Sequence, residues 1–260
     1  MRINTTEREN LMYEIIGRIS AMDAPIIFKG ALITKLVLAE SNFSAISRGT
    51  VDIDANWTDE PPTTNQLVGC IKSALQSISS DLDARLIRGY GEKKSAGIEV
   101  FHKATGSPVV EIDISVGKSQ ASKLYHHGEL MIKGVLPTEI LADKISVLSS
   151  NRIFRRSKDL IDVYALVHCS EVNTNDIYES HKRNNRELGG FVEFSTRQAD
   201  LAHAYEKLRG ITNKPSFEDV HRYISIFLEP FILTHKANKI WLPQKSEWQD
   251  VPPIQVKNEV

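Results

Sequence analysis

The amino-acid sequence predicts an α/β protein of the α+β kind, with a small mixed sheet flanked by helices and a helical C-terminal part. Apolar residues that recur every three or four positions are typical of helices, and this spacing marks residues 7–22, 31–39, 66–82 and 217–231. Short apolar runs and period-two alternation indicate strands, at residues 26–28, 50–55, 85–90, 98–103 and 109–115. From Pro137 onward the pattern is almost wholly helical.

The length of the chain bears on its domain organisation. Its 260 residues, of which 41% are hydrophobic, suffice for a sizeable core and for one or two domains. We predict an α/β domain over residues 1–136 and a helical domain over residues 137–242. An extended tail is expected over residues 243–260, where three prolines accompany few apolar side chains.

Charge is balanced over the whole chain but not along it. The formal net charge of -1 excludes a globally basic nucleic-acid coat protein and a strongly acidic mimic of nucleic acid. Residues 50–113 nevertheless carry ten acidic and six basic side chains, and residues 114–158 carry eight basic and three acidic ones. This asymmetry is compatible with a metal site facing a polyanion-binding surface, and also with solvated faces that differ by chance.

The sequence has no feature of an exported or membrane-spanning protein. Residues 1–10 are charged and lack the apolar core of a signal peptide. The most apolar stretch, residues 24–39, is interrupted by Lys29 and Lys35, and it falls short of the about 20 apolar residues that span a bilayer. Two cysteines are too few for a disulfide framework. We therefore expect a cytoplasmic protein without a membrane partner.

Asp52 and Asp54 are the central candidates for chemistry. At alternate positions of a predicted strand, their side chains point to the same face. Two adjacent carboxylates repel each other unless a cation lies between them, and Mg²⁺ favours one or two carboxylates together with substrate phosphates. Asp113 lies near the end of another predicted strand, and if the two strands pair, three carboxylates could hold two metal ions. An Asp-x-Asp pair alone is also common on surface strands.

Phosphate-binding features precede the aspartate pair. Lys29-Gly30-Ala31 forms a predicted strand-to-helix turn, where the free amides of a helix N-terminus can bind phosphate and a small residue lets the backbone approach closely. Arg48 and Thr50 add a cation and a hydroxyl just before the pair. This order of strand, turn, helix and carboxylate-bearing strand predicts a phosphoryl-transfer site.

Four motifs, in this order, resemble those of the AbiEii/AbiGii toxin-type nucleotidyltransferases, a family of the DNA polymerase beta-like superfamily. They are FKGAL at 28–32, RGTVDID at 48–54, ILADKI at 140–145 and RSKDLIDVYAL at 156–166. The third motif has Lys144 in the place of the essential lysine of the family. The fourth normally contains an Arg-Asp pair followed by a second Asp, and here it contains Asp159 and Asp162.

The resemblance implies a nucleotidyltransferase fold and a metal-dependent transfer of a nucleotide from an NTP to an acceptor. The acceptor in characterised relatives is RNA, notably tRNA, and the partner is a cognate antitoxin. The implied cofactor is Mg²⁺ or Mn²⁺, held by Asp52, Asp54 and Asp113, with Lys144 and Asp159 in the catalytic set and the helical domain completing the active site. The candidate nucleotide-binding residues are Lys29, Gly30, Ala31, Lys35, Arg48 and Thr50.

The residues of the later motifs allow more than one interpretation by themselves. Lys144 lies beside an apolar helical stripe, so its ammonium could reach a triphosphate or could simply extend to solvent. Asp159 and Asp162 are three apart on one helix face, where they could help build the active site or pair with the basic residues of segment 155–158.

Two departures from the family pattern motivate alternatives. Ala31 and Leu32 stand where a small residue and a hydroxyl residue are usual, and Lys158 replaces the usual arginine before Asp159. A degenerate nucleotidyltransferase that binds nucleotide or a partner protein without turnover is therefore a second hypothesis. A metal-dependent glycosyltransferase also uses Asp-x-Asp, but this class does not account for the Gly30 turn or the Lys144 motif.

Overall fold

The computed structural model describes residues 5–43, 46–91, 94–233 and 238–251. The chain divides into two compact units: unit 1 comprises Met1–Ile140 and Arg209–Lys214, and unit 2 comprises Leu141–Leu208 and Pro215–Val260. In the described ranges no helix is long and apolar enough to cross a membrane.

Unit 1 is built on one mixed sheet, as predicted. Its elements are α1 (Thr5–Ala21), β1 (Ile26–Lys29), α2 (Gly30–Glu40), β2 (Ser47–Arg48), β3 (Asp52–Trp57), α3 (Thr64–Gln76), β4 (Leu82–Arg88), β5 (Ser95–His102), β6 (Pro108–Val116), β7 (Ser122–His127) and β8 (Leu130–Val135). Seven strands pair in the order β4-β5-β6-β3-β1-β8-β7. β3 runs parallel to β6 and β1 parallel to β8, whereas the other neighbours are antiparallel.

Two strands of this sheet, β7 and β8, were not predicted from the sequence. β7 is an edge strand in which Tyr125 alone is buried, so the period-two alternation that reveals a half-buried strand is weak there. The predicted helix 66–82 is also shorter in the structure, because α3 ends at Gln76 and Leu82 already begins β4. A capping box between Thr63 and Gln66 fixes the start of α3.

Unit 2 is mainly helical, as the sequence predicts for this part of the chain. Its elements are α4 (Pro137–Leu148, in unit 2 from Leu141), a 3₁₀ helix (Asn151–Arg155), α5 (Lys158–Cys169), β9 (Val172–Asn173), α6 (Thr174–Arg183), α7 (Val192–Thr196), α8 (Gln198–Glu206), α9 (Phe217–Ile232) and two strands that follow it. Between α8 and α9, β10 (Ile211–Thr212) pairs with β2 and so belongs to unit 1. Segment 209–214 thus differs from its predicted place in the helical domain 137–242.

The segment expected to be an extended tail contains a paired strand. β11 (Lys239–Leu242) and β12 (Glu247–Asp250) form an antiparallel hairpin, and β9 completes a three-stranded sheet. Trp248 anchors the hairpin: its ring stacks on Phe227 at 5.3 Å and its Nε1 donates to the Phe227 carbonyl at 2.9 Å. The packing of this one large aromatic side chain therefore stabilises a strand in a segment whose proline-rich composition predicted an extended tail. Residues 252–260 of the expected tail lie outside the described residues.

Candidate active site

Strand register brings the predicted carboxylates to one face of the sheet in unit 1. β3 pairs with β6 in parallel, with Asp54 opposite Asp113 and Asp52 opposite Glu111. Neighbouring strands lie about 4.8 Å apart, and side chains at alternate positions share a face. Asp52, Asp54, Glu111 and Asp113 are called the carboxylate face below. Sequence reasoning missed Glu111, although Glu111-x-Asp113 repeats the spacing of Asp52-x-Asp54 on the next strand.

The residues on the opposite face of the same strands explain why all four carboxylates lie on one face of the sheet. Ile53, Ala55, Ile112 and Ile114 alternate with them, and each is fully buried. A register slip of one residue would bury four acids and expose this part of the core, so the core face specifies the position of every carboxylate.

Gly30 lets the Asp54 carboxylate approach the first turn of α2. The glycine has φ of +71°, and a Cβ built on it would collide with Asp54 Oδ2. A side chain is thus disfavoured twice, by the left-handed backbone and by the lack of space. The Asp54 carboxylate lies where the helix dipole is positive.

The remaining first-motif residues have separate contacts. Lys29, in register with Asp54, donates from Nζ to Asn56 Oδ1 at 2.6 Å and to Ser115 Oγ at 3.4 Å. Ala31 and Leu32 are buried in α2, so the position that is usually a hydroxyl residue contributes to the core here. Lys35 Nζ lies 2.5 Å from Glu9 Oε2 on α1.

The second motif orients one carboxylate through a hydroxyl group. Thr50 is buried, and its Oγ1 donates to Asp52 Oδ1 at 2.9 Å. Arg48 lies in β2 and is paired through its backbone with Ile211. Thr50 therefore contacts Asp52 directly and restricts the rotation of its side chain.

Asp113 has one paired and one unpaired carboxylate oxygen. Its Oδ2 lies 3.0 Å from Arg88 Nη2. Its Oδ1 is buried and has no hydrogen-bond partner within the part of the chain that the structure describes. A buried oxygen without a partner is costly in a folded protein, so Asp113 Oδ1 can accept a contact from a water molecule or a bound cation.

The carboxylate face fits a hard divalent cation by its chemistry. Carboxylate oxygens are the ligands that Mg²⁺ and Mn²⁺ prefer, and Asp113 Oδ1 offers an unused one. Across the described ranges, no three His, Cys, Asp or Glu side chains form a group that could hold a metal ion as they stand. The donors are therefore in register but not gathered around one point.

Lys144 and Asp159, the candidates of the later motifs, are brought together in unit 2. Lys144 Nζ lies 3.0 Å from Asp159 Oδ1 and 2.5 Å from Asp162 Oδ2. All three residues are at least 94% buried, and Arg156 Nη2 lies 3.0 Å from Asp159 Oδ2. The interpretation of Lys144 as a lysine extending to solvent is wrong. These three residues are called the lysine cluster below.

The paired carboxylates lie beside a glycine turn on a mixed sheet, which is the arrangement that the sequence motifs predict for the phosphoryl-transfer class. Residues 15–223 match the model of a family described as nucleotidyl transferase AbiEii toxin, type IV toxin–antitoxin system. The chain belongs to this family and is a nucleotidyltransferase. The resemblance drawn from the four motifs is confirmed.

Two solved structures are similar to the chain at low sequence identity. MenT4, a nucleotidyltransferase toxin from Mycobacterium tuberculosis H37Rv, is 15% identical, with 72% of this chain and 69% of that chain covered and a TM-score of 0.42. An antigenic nucleotidyltransferase-like protein from Paracoccidioides brasiliensis is 13% identical, with 78% and 94% covered and a TM-score of 0.43. No curated protein matches the sequence.

Proposed function

We propose that the chain transfers a nucleotide from an NTP to an RNA acceptor, such as tRNA, in a reaction that depends on Mg²⁺ or Mn²⁺. The observation that carries this proposal is the register of β3 and β6, which sets two pairs of carboxylates side by side next to the Gly30 turn. Because NTPs and RNA are the substrates, the cytoplasm is the proposed site of action.

Asp52, Asp54 and Asp113 would hold the divalent ions, with Glu111 next to them on β6. Ions bound there would neutralise the triphosphate and assist deprotonation of the acceptor hydroxyl. The protein itself contributes pre-organisation: Gly30 brings the start of α2 against Asp54, and the Thr50 hydroxyl orients Asp52.

Nucleotide binding is assigned to the start of α2 and the segment before β3. The first amides of α2, at Gly30 and Ala31, are suited to a phosphate oxygen because they have no partner within the helix. Lys29 and Arg48 would add positive charge. Lys35 would join them only if its ion pair with Glu9 opened.

Lys144 and Asp159 are proposed as further members of the catalytic set, and we expect them to act together as an ion pair. Each is buried against the other, so removing one leaves an uncompensated charge in the interior. Their joint role is supported by the third and fourth motifs, which the match to the AbiEii family includes.

An RNA acceptor is supported by an exposed basic surface in unit 2. The 3₁₀ helix and the start of α5 present Arg152, Arg155, Arg156 and Lys158 to solvent. Arg197 lies over the Phe154 ring at 4.4 Å, so a stacked cation borders the same surface. Clustered cations of this kind neutralise the phosphates of a nucleic acid. A cognate antitoxin is proposed on the strength of the family, whose systems are of type IV.

The test is a transfer assay with purified protein, total RNA, Mg²⁺ and each labelled NTP in turn. We expect label in RNA from at least one NTP, loss of label in EDTA, and a loss of at least about 100-fold in Asp54→Asn, because one metal ligand is then neutral. Asp59→Asn, an exposed acid beyond the end of β3, is the matched control and should transfer normally. Nucleotide binding without transfer from any NTP would instead support the degenerate alternative.

A further inference from the structure

Arg88 reaches the carboxylate face from two strands away. It lies at the end of β4, whereas Asp113 and Glu111 lie on β6, with β5 between them. Its guanidinium spans both acids: Nη2 is 3.0 Å from Asp113 Oδ2 and Nη1 is 3.9 Å from Glu111 Oε1.

An irregularity in β4 determines which face Arg88 points to. Leu86 pairs with Ile98 and Arg88 with Gly97, so Ile87 is an extra residue between two consecutive pairs. A regular strand would place Arg88 on the same face as Leu86, which is the face opposite the carboxylates. The bulge turns Arg88 to the face of Gly97, and Gly97 pairs in turn with Asp113.

The strand between them leaves room for this side chain. A Cβ at Gly97 would lie 3.1 Å from Glu111 Oε1 and 3.4 Å from Arg88 Nη2, so any larger residue would crowd both groups. The bulge and the glycine are two independent features of the backbone, and together they bring one cation to Asp113.

The ion pair is well suited to be displaced. The side chains of Arg88 and Asp113 are 48% and 41% exposed, so solvent screens their attraction. Asp113 Oδ1 is buried and unpaired in the described residues, which means that Arg88 satisfies only half of this carboxylate. A divalent cation carries twice the charge and binds carboxylates more strongly than an exposed guanidinium does.

We propose that Arg88 is the resident counter-ion of the carboxylate face. It compensates the charge of Asp113 and Glu111 while no divalent ion is bound, and it competes with that ion for the same carboxylates. This inference rests on the proposed binding of divalent ions by Asp52, Asp54 and Asp113. Arg88 is thus a positioning residue that sets the metal concentration at which the site fills.

The test is a calorimetric titration of the full chain with Mn²⁺, without NTP. Arg88→Met removes the competing charge and keeps the length of the side chain, so we expect Mn²⁺ to bind about fivefold more tightly. In EDTA the same variant should unfold at a lower temperature than the wild type, because its acids then repel one another. Saturating Mn²⁺ should remove that difference.

Two variants separate the role of Arg88 from a general effect of charge. Arg85→Met removes an arginine from the same strand whose partner is Glu99 of β5, and it should change the Mn²⁺ affinity less than twofold. Arg88→Lys keeps the charge and should stay within twofold of the wild type.

The outcomes distinguish this inference from the proposed function. Equal or weaker Mn²⁺ binding by Arg88→Met, with normal binding by the wild type, overturns the counter-ion proposal and leaves the divalent-ion site intact. Tightening in Arg88→Lys as large as in Arg88→Met also overturns it, because charge is then not the cause. Absence of Mn²⁺ binding in both the wild type and Arg88→Met overturns both proposals.

Discussion

The carboxylate face of unit 1 and the lysine cluster of unit 2 use the same kinds of charged group in opposite environments. Asp113 and Arg88 are almost half exposed, and one Asp113 oxygen has no hydrogen-bond partner in the described ranges. Lys144, Asp159 and Asp162 are buried, and the ammonium contacts a carboxylate on each of two successive turns of α5.

The difference separates two uses of charge in one chain. A buried cluster holds its geometry because any unpaired member has a large desolvation penalty. An open face on which one acid, Asp113, is incompletely paired is instead available for a ligand, because a cationic ligand relieves repulsion between the acids. Substitutions in the lysine cluster should therefore act first on stability, and substitutions on the carboxylate face first on transfer.

The largest expected effect is that of Lys144→Met. This change leaves Asp159 and Asp162 buried beside an apolar side chain, and breaking a buried ion pair from one side is destabilising by about 3–5 kcal/mol. Urea unfolding monitored by circular dichroism measures the loss. Lys158→Met, at an exposed position of α5, is the control and should change stability by less than about 0.5 kcal/mol. Wild-type stability in Lys144→Met would contradict the contrast between the two regions.

Gly30→Ala should have the next largest effect, and it should act on transfer. Its Cβ would push the Asp54 carboxylate away from α2, so we expect label transfer to RNA to fall about 100-fold, or about 2.7 kcal/mol. Gly106→Ala is the matched control, because Gly106 has a φ of +67° and open space around it. Both variants should lose about 1 kcal/mol of stability from the left-handed backbone. Equal transfer in both would show that the close approach of Asp54 is not needed.

Much of the carboxylate face could be predicted from the sequence because its signals are local. Alternation over residues 50–55 and 109–115 predicted two strands and the shared face of Asp52 and Asp54. The Lys29-Gly30-Ala31 turn predicted the break between strand and helix, which the structure has at Gly30. That β3 and β6 are neighbours could only be stated as a condition, because pairing between distant strands depends on the whole sheet.

The features that the sequence could not predict are contacts between residues that lie far apart along the chain. The pairing of Lys144 with two carboxylates depends on how α4 packs against α5, and a helical stripe indicates only which side faces the core. The sequence pattern did not identify Arg88 as a residue of the site, because a bulge changes the face to which a side chain points without a clear local signal. Trp248 shows the same limit, since composition alone predicted an extended tail where this ring packs on Phe227.

Thr50→Val is expected to have the smallest effect on transfer of the three substitutions. It tests the contribution of a single hydrogen bond to the carboxylate face. Valine keeps the shape of threonine but cannot donate to Asp52 Oδ1, so the carboxylate regains rotational freedom. Loss of one such bond is worth about 1 kcal/mol, so transfer should fall about fivefold to tenfold.

Thr50→Ser, which restores the donor, should recover transfer to within about twofold of the wild type, because the hydrogen bond rather than the methyl group orients Asp52. Thr50→Val should lower turnover measured at saturating Mg²⁺. Its urea unfolding midpoint should fall only slightly. If Thr50→Val instead lowered stability by several kcal/mol and left the turnover of the folded protein unchanged, Thr50 would act first on stability, as the lysine cluster does. The contrast between an open face that acts first on transfer and a buried cluster that acts first on stability would then fail at Thr50, the residue that contacts Asp52.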